Sequence, residues 1–245
     1  MKACIVIPVY FGARRRTFKC VDDVIDLVKY SIENYRNLDP GVETDIIFVN
    51  NTPEVEKASE LLSDINETPT KRGIFRILDG DNVGVSFGAF DNAFKNFKDD
   101  YDLWCFTEDD IIPNLDGFLD IAAKQLEDET IGFLGLIGIH PSTNMPHAHG
   151  GTGCTTRDRI QSVVDVHGCL PHHKDVPKEQ TTEYFRAHIR GEAAFTKCFA
   201  DLGFQLTKIA TPVRPYIRWD AHDTPQAYEI DQAEWGSFEA VHMHL

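Results

Sequence analysis

The first half of the chain alternates short runs of apolar, often β-branched residues with longer amphipathic runs. Short runs of this composition predict strands, and apolar residues at three- and four-residue spacing predict helices. The predicted strands cover 3–10, 45–50, 74–78 and 103–106, and the predicted helices between them cover 17–36, 53–65 and 85–97. This alternation is typical of an α/β fold with a mostly parallel sheet and right-handed crossovers.

The second half is less regular. A stretch rich in His, Gly and Pro, residues 140–178, predicts long loops around one strand at 160–166. A helix is predicted at 192–202, ending at Gly203, since glycine suits the left-handed residue after a helix. No internal repeat and no Gly/Ser-rich or Pro-rich linker divides the chain, so a single domain over 1–245 is expected.

Composition narrows the function classes. The formal net charge is −15, which disfavours sequence-independent nucleic-acid binding, because that needs a basic face. No apolar run reaches the roughly 18 residues of a membrane helix, and no basic leader precedes the first apolar run, so a cytoplasmic protein is expected. The six cysteines form no C-x-x-C pair and are interpreted as reduced, mostly buried thiols.

The most informative polar segment is acidic. Glu108, Asp109 and Asp110 follow directly on the predicted strand at 103–106. Open α/β sheets bind ligands at the carboxyl ends of their strands, and carboxylates beside substrate phosphates suit Mg²⁺ or Mn²⁺ better than zinc. The alternative is a solvated acidic turn that caps the next helix.

Four segments in order, 4–10, 46–52, 82–92 and 106–110, resemble the GT-A-fold nucleotide-sugar glycosyltransferases, and among them the inverting family 2. The first looks like the family's opening strand, and Asn50 and Asn51 stand where its second strand usually ends in two aspartates. The last resembles the Asp-x-Asp metal motif, with Asp109 as its last acid and Thr107 in place of its first. The resemblance implies a Rossmann-like, GT-A-like sheet flanked by helices, with a nucleotide-binding half at about 1–115 and an acceptor-binding half at about 116–245.

The resemblance also implies a set of donor contacts and metal ligands. The metal, Mn²⁺ or Mg²⁺, would be held by Asp109 and Asp110, and late histidines at 242 and 244 are further candidates, since several enzymes of this fold use one. The residues expected at the nucleotide-sugar donor are Pro8, Val9, Tyr10, Arg14, Asn50, Asn51, Asn82, Gly84, Gly88, Asn92, Glu108 and Asp109.

Each of these features also has a structural interpretation. An asparagine amide can pair with a pyrimidine edge, but Asn50 and Asn51 equally suit a turn after a strand. Gly84 and Gly88 allow the backbone to approach a ligand, or they shape a turn. Arg14 belongs to a basic run that could meet a diphosphate or remain solvated. The final residues, which include His242 and His244, could be disordered.

The second half contributes candidates for the chemistry. Glu192, at the start of a segment that resembles the family's acceptor-side helix, would face the donor sugar or the acceptor. Asp223 resembles the inverting base, with Asp220 as the competing candidate; Asp223 could instead cap a helix around 225–233. Seven of the ten histidines fall between 140 and 188 and are expected to border the sugar and acceptor pocket, although they could bind zinc.

These observations predict a metal-dependent glycosyltransferase that moves a sugar from a nucleotide-diphosphate donor, with UDP favoured, to a glycan or other hydroxyl acceptor. Three alternatives stay open: a nucleotidyltransferase that makes a nucleotide sugar, a non-catalytic sugar-binding or nucleotide-binding module, and a histidine-metal hydrolase built on 140–188. The oligomeric state and the stereochemistry of transfer do not follow from the sequence.

Overall fold

The structure is a computed structural model, and it describes residues 1–12, 24–109, 111–140, 147–148, 151–171, 191–213 and 215–218. Within these ranges, side-chain surroundings are described for all residues except those at 112, 140, 192, 217 and 218.

Strands and helices alternate through the first half, as the hydrophobic pattern predicts. The strands are β1 (Ala3–Val9), β2 (Thr44–Asn50), β3 (Phe75–Asp79), β4 (Leu103–Phe106), β5 (Ile111–Pro113), β6 (Ile131–Gly135), β7 (Ile139–His140), β8 (His147–Ala148), β9 (Gly153–Thr156), β10 (Gln205–Lys208) and β11 (Tyr216–Arg218). The helices are α1 (Val24–Asn37), α2 (Glu56–Ile65), α3 (Val85–Phe97), α4 (Phe118–Gln125), α5 (Arg157–His167) and α6 (Gly191–Asp201).

Seven strands form one mostly parallel sheet in the order β10-β6-β9-β4-β1-β2-β3. β1 pairs in parallel with both β2 and β4, whereas β9 runs antiparallel between β4 and β6. The side chains of each central strand alternate between two buried clusters. One cluster packs against α1, α2 and α4, and the other packs against α3, α5 and α6. The predicted α/β class and mostly parallel sheet are therefore confirmed.

The prediction of a strand at 160–166 is wrong, because this segment lies in α5. Ile160, Val163 and Val164 recur at three- and four-residue spacing, and Ile160 and Val163 are fully buried on one face of the helix. Gly168 follows with φ +77°, the left-handed conformation that ends a helix. The β-branched composition suggested a strand, but the helical spacing of the same residues decides the structure.

The predicted helix at 192–202 agrees with α6, and Gly203 after it has φ +90°. The five described cysteines carry free thiols, and four of them, Cys4, Cys105, Cys154 and Cys198, are buried. Burial raises the pKa of the Cys198 thiol to about 12, so this group stays protonated and unreactive. Among the described residues, no helix is long and apolar enough to cross a membrane.

Candidate active site at the carboxyl edge of the sheet

The ends of β1, β2, β3 and β4 meet at one edge of the sheet, which we call the carboxyl edge. Backbone hydrogen bonds hold these ends together. Asn51 donates to the carbonyl oxygen of Val9 at 2.9 Å, and Gly80 donates to that of Asn50 at 2.8 Å. Thr107 donates to the carbonyl oxygen of Val6 at 3.1 Å. The residues that follow these strands are therefore held close to one another.

The opening strand contributes one side chain with accessible surface. Pro8 and Val9 are buried within the sheet, so their side chains belong to the core. Tyr10 is half-buried, and its ring lies directly over Gly12, where a Cβ would collide with the hydroxyl. Of these three expected donor contacts, only Tyr10 has a partly exposed surface.

Asn50 is bound within the protein. Its Nδ2 donates to Ser59 Oγ at 3.2 Å and lies 3.4 Å from Asp79 Oδ1, and its Oδ1 accepts the N–H of Thr52 at 3.1 Å. Asn51 is also buried, and its Oδ1 lies against Gly80. The geometry of Asn50 agrees with the turn interpretation, and its amide would have to exchange these partners to reach a base.

The loop between β3 and α3 has an unusual backbone. Asn82 and Gly84 have φ of +56° and +86°. A Cβ on Gly88 would collide with the carbonyl oxygen of Val83, so this glycine allows α3 to pass the loop. Asn92 donates from Nδ2 to the carbonyl oxygen of Asp79 at 3.2 Å and thereby attaches α3 to the end of β3. Gly88 and Asn92 thus shape the loop, and Asn82 is the exposed member of the set.

The acidic segment forms a turn after β4. Ile111 donates its N–H to the carbonyl oxygen of Glu108 at 3.2 Å, which closes the turn. Asp109 is 8% exposed, and Glu108 is half-buried. Thr107, which replaces the first acid of the resemblance, is fully buried with its hydroxyl in the core. In the described chain, any metal ligands of this turn must therefore come from Glu108 and Asp109.

The carboxylates of this turn supply part of the ligand set that a hard divalent cation needs. Within the described ranges, no group of three or more His, Cys, Asp or Glu side chains lies close enough together to hold a metal ion. Two neighbouring carboxylates are nevertheless the usual protein share of a Mg²⁺ or Mn²⁺ site in which phosphate oxygens and water complete the coordination. The turn fits a cation that is bound jointly with a diphosphate.

The second half approaches this edge in two places. α6 begins at Gly191, which lies against the ring of Phe87 in α3, so Glu192 is the second residue of a helix that packs on the first half of the chain. β11 pairs antiparallel with β5, with Arg218 opposite Ile111, and this register leads the chain back to the acidic turn. The remaining predicted site residues, Arg14, Asp110, Asp220, Asp223, His242 and His244, lie outside the described residues.

Few of the predicted loop histidines fall in described parts of the chain. His147 is half-buried in β8, and His167 is exposed at the end of α5.

Sequence reasoning missed two features of the site. The hydroxyl of Thr52 accepts the N–H of Phe11 at 3.0 Å and joins the loops after β1 and β2. Phe87 contacts the second half, and no local sequence signal reveals a contact over that distance.

Comparison with known proteins supports the fold. The chain is similar to the mannosyltransferase of Pyrobaculum calidifontis in complex with GDP-Man and Mn²⁺, with 15% identity and a TM-score of 0.52 over 84% of this chain and 54% of that one. This chain thus spans about half of that enzyme. No family model and no curated protein matches the sequence.

Two more distant likenesses are to TarS of S. aureus, with 11% identity, a TM-score of 0.47 and coverage of 85% and 35%, and to CMP:2-keto-3-deoxy-manno-octonic acid synthetase complexed with CTP, with 13% identity, a TM-score of 0.48 and coverage of 97% and 99%. At such identities only the fold is comparable. The fold of this chain is GT-A-like, as the sequence resemblance implies.

Proposed function

We propose that this chain is a glycosyltransferase that moves a sugar from a nucleotide-diphosphate donor, UDP-sugar in the first instance, to a hydroxyl acceptor with the help of Mn²⁺ or Mg²⁺. The observation that carries the proposal is the acidic turn of Glu108 and Asp109 at the carboxyl end of β4 in a GT-A-like sheet. Sheets of this class bind ligands outside the carboxyl ends of their strands, at the point where the strand order reverses. β1 and β4 are the central parallel pair at that point.

The acids explain how an acidic chain could hold an anionic donor. With 39 acidic and 24 basic residues, the protein repels a diphosphate unless a cation screens it. A bound divalent cation would stabilise the negative charge that builds on the departing diphosphate. Asp109, nearly buried beside the strand ends, would hold that charge in a fixed position, and Glu108 would add a second oxygen donor.

The nucleotide would lie over the loops after β1, β2 and β3. Tyr10 offers a partly exposed ring for stacking on a base. Asn82 and Val83 are exposed at the rim, where they could contact the base or the ribose. The amide nitrogen and the amide oxygen of Asn50 are both hydrogen-bonded within the protein. We therefore assign Asn50 the role of fixing the shape of these loops.

The chemical step, if it inverts configuration, needs a base that removes the proton of the acceptor hydroxyl. Asp223 is our candidate, with Asp220 and Glu192 as competitors. β11 supports this assignment only through its direction, since residues 219–245 follow a strand that is paired beside the acidic turn.

A panel of UDP-, GDP- and dTDP-sugars, incubated with Mn²⁺ and assayed for nucleotide release, tests the proposal. A transferase hydrolyses a preferred donor slowly even without acceptor, because water can replace the missing hydroxyl. Binding without turnover across the panel, with candidate acceptors present, would indicate a binding module. Pyrophosphate release from a nucleoside triphosphate and a sugar phosphate would indicate a nucleotidyltransferase.

A further inference from the structure

Phe87 is enclosed by two glycines from the second half of the chain. Its ring is 2% exposed. A Cβ added to Gly151 would lie 2.5 Å from ring atom Cε1, and one added to Gly191 would lie 2.7 Å from Cδ2. Phe195 of α6 packs on the same ring, with 5.4 Å between centroids. The side chain is thus held by residues that lie more than sixty positions away in sequence.

The segment 82–85, which contains the end of the loop after β3 and the first residue of α3, is strained. Val85 has φ +55°, a left-handed conformation that is a genuine outlier for a β-branched residue. Asn82 and Gly84 also have positive φ, which asparagine and glycine tolerate. Such a conformation persists only where the surroundings determine it. Two packing features flank this segment: Gly88 approaches the Val83 carbonyl closely, and the enclosed ring of Phe87 follows Val85 by two residues.

The strain lies at the candidate site and not in the core. Val83 is 51% exposed, and the loop follows the end of β3 at the carboxyl edge. The loop also carries Asn82, an expected donor contact. A loop held in one conformation binds its ligand more tightly than one that must be ordered on binding.

We propose that Phe87 is a positioning residue for the nucleotide: its enclosure by Gly151 and Gly191 keeps Val85 left-handed and preorganises residues 82–85 for the donor. This inference rests on the proposed function for its ligand. It makes two glycines of the second half part of donor binding, although neither needs to contact the donor.

The first test measures nucleotide binding. Phe87→Leu removes part of the enclosed ring, and we expect the dissociation constant of UDP with Mn²⁺ to rise about tenfold, because a loop without that support samples the binding conformation about a tenth of the time. Adding Val85→Gly to this variant should bring the affinity back to within about threefold of the wild type, because glycine adopts positive φ without cost. Glu67→Gly added to the same variant is the control and should restore nothing, since Glu67 also has positive φ, at +61°, but lies in the connection from α2 to β3. Equal affinity in Phe87→Leu and the wild type would overturn the binding role of the enclosed ring.

The second test needs no ligand. Phe87→Leu should speed hydrogen exchange of the backbone amides of residues 82–85 at least tenfold. Phe94→Leu is the matched control, because Phe94 is a buried ring of the same helix that packs instead on Trp104, with 5.1 Å between centroids. We expect no more than a twofold change at 82–85 in that control.

The two tests separate this inference from the proposed function. If the wild-type protein binds no nucleotide, the proposed function fails, and the exchange experiment alone decides whether Phe87 holds the loop. If exchange at 82–85 is the same in Phe87→Leu and the wild type, Phe87 does not position the loop and the inference is wrong, whatever the protein binds.

Discussion

The two edges of the central sheet are built differently. At the edge where the strands begin, the carboxylate of Asp45 is 2% exposed and surrounded by partners. Lys2 Nζ lies 2.9 Å from it, the Tyr101 hydroxyl donates to it at 2.8 Å, and the N–H of Ile74 donates at 3.0 Å. Arg76 Nε completes the set at 3.2 Å. The carboxylate of Asp45 thus links β1 to β4 at this edge, because its partners lie in these strands or directly before them.

The carboxyl edge instead collects two acids on one turn, a left-handed valine and loops that pack on distant glycines. Adjacent carboxylates repel one another, and a strained backbone costs about 1 to 3 kcal/mol. A protein selected for stability alone would not keep these features. From this contrast we propose that one edge maintains the fold and the other carries the function.

The largest expected effect concerns the chemical step. Asp223→Asn keeps the size and polarity of the side chain but removes the proton acceptor, so turnover should fall on the order of a hundredfold or more with donor affinity close to wild type. Steady-state kinetics on the preferred donor measure this. Asp220→Asn and Glu192→Gln are the paired variants, and the base is reassigned to whichever of them loses activity. If none does, a retaining mechanism explains the data better.

A substitution at the edge where the strands begin should instead lower stability and leave nucleotide binding unchanged. Asp45→Asn removes the charge that balances Lys2 and Arg76, and we expect the free energy of unfolding to fall by about 2 to 3 kcal/mol, less than for a fully buried pair because both cations are about one-third exposed. Urea unfolding measures the loss. Nucleotide affinity of the folded variant should match the wild type, and a large loss of affinity would contradict the division between the edges.

A smaller effect should appear in the pH dependence of stability. Burial raises the pKa of Asp45, but the hydrogen bonds from Lys2, Tyr101, the Ile74 N–H and Arg76 outweigh burial and leave the pKa below its ordinary value. A carboxyl group with a lowered folded-state pKa stabilises the protein above its unfolded pKa of about 3.9 and loses that contribution as the pH falls through the folded value.

The stability difference between the wild type and Asp45→Asn should therefore be constant between about pH 5 and 7 and shrink below about pH 4. Urea titrations at several pH values measure it. A difference that grows on acidification would show that the pKa of Asp45 is raised in the folded protein and not lowered.

The first half of the fold was predictable because its signals are local. Apolar periodicity located β1 to β4 and α1 to α3, and glycine marked the end of α6 at Gly203. The strand predicted at 160–166 failed because β-branched residues are compatible with either structure, and only their spacing distinguished the two. β9 was not predicted, since a four-residue strand that contains Gly153 has too little pattern of its own.

The candidate site was predictable only in part. The acidic turn is visible in the sequence because three acids follow an apolar strand. The burial of Thr107 and the internal hydrogen bonds of Asn50 depend on neighbours that lie far away along the chain, as does the contact of Phe87 with Gly151 and Gly191. Residue type suggested a ligand contact at Asn50 and Gly88, and packing gave both a structural task.

The central claim is that the acidic turn binds a divalent cation together with the diphosphate of a nucleotide. Isothermal titration calorimetry of UDP and GDP, in Mn²⁺ and in EDTA, tests it most directly on the wild type, Asp109→Asn and the control Asp116→Asn. Asp116 Oδ1 accepts the N–H of Asp39 at 2.8 Å, a bond that an asparagine oxygen can keep. We expect Mn²⁺ to tighten binding of one nucleotide at least tenfold in the wild type and in Asp116→Asn, and to have little effect in Asp109→Asn. Equal affinity in Mn²⁺ and EDTA for the wild type, or a full Mn²⁺ effect in Asp109→Asn, would contradict the claim.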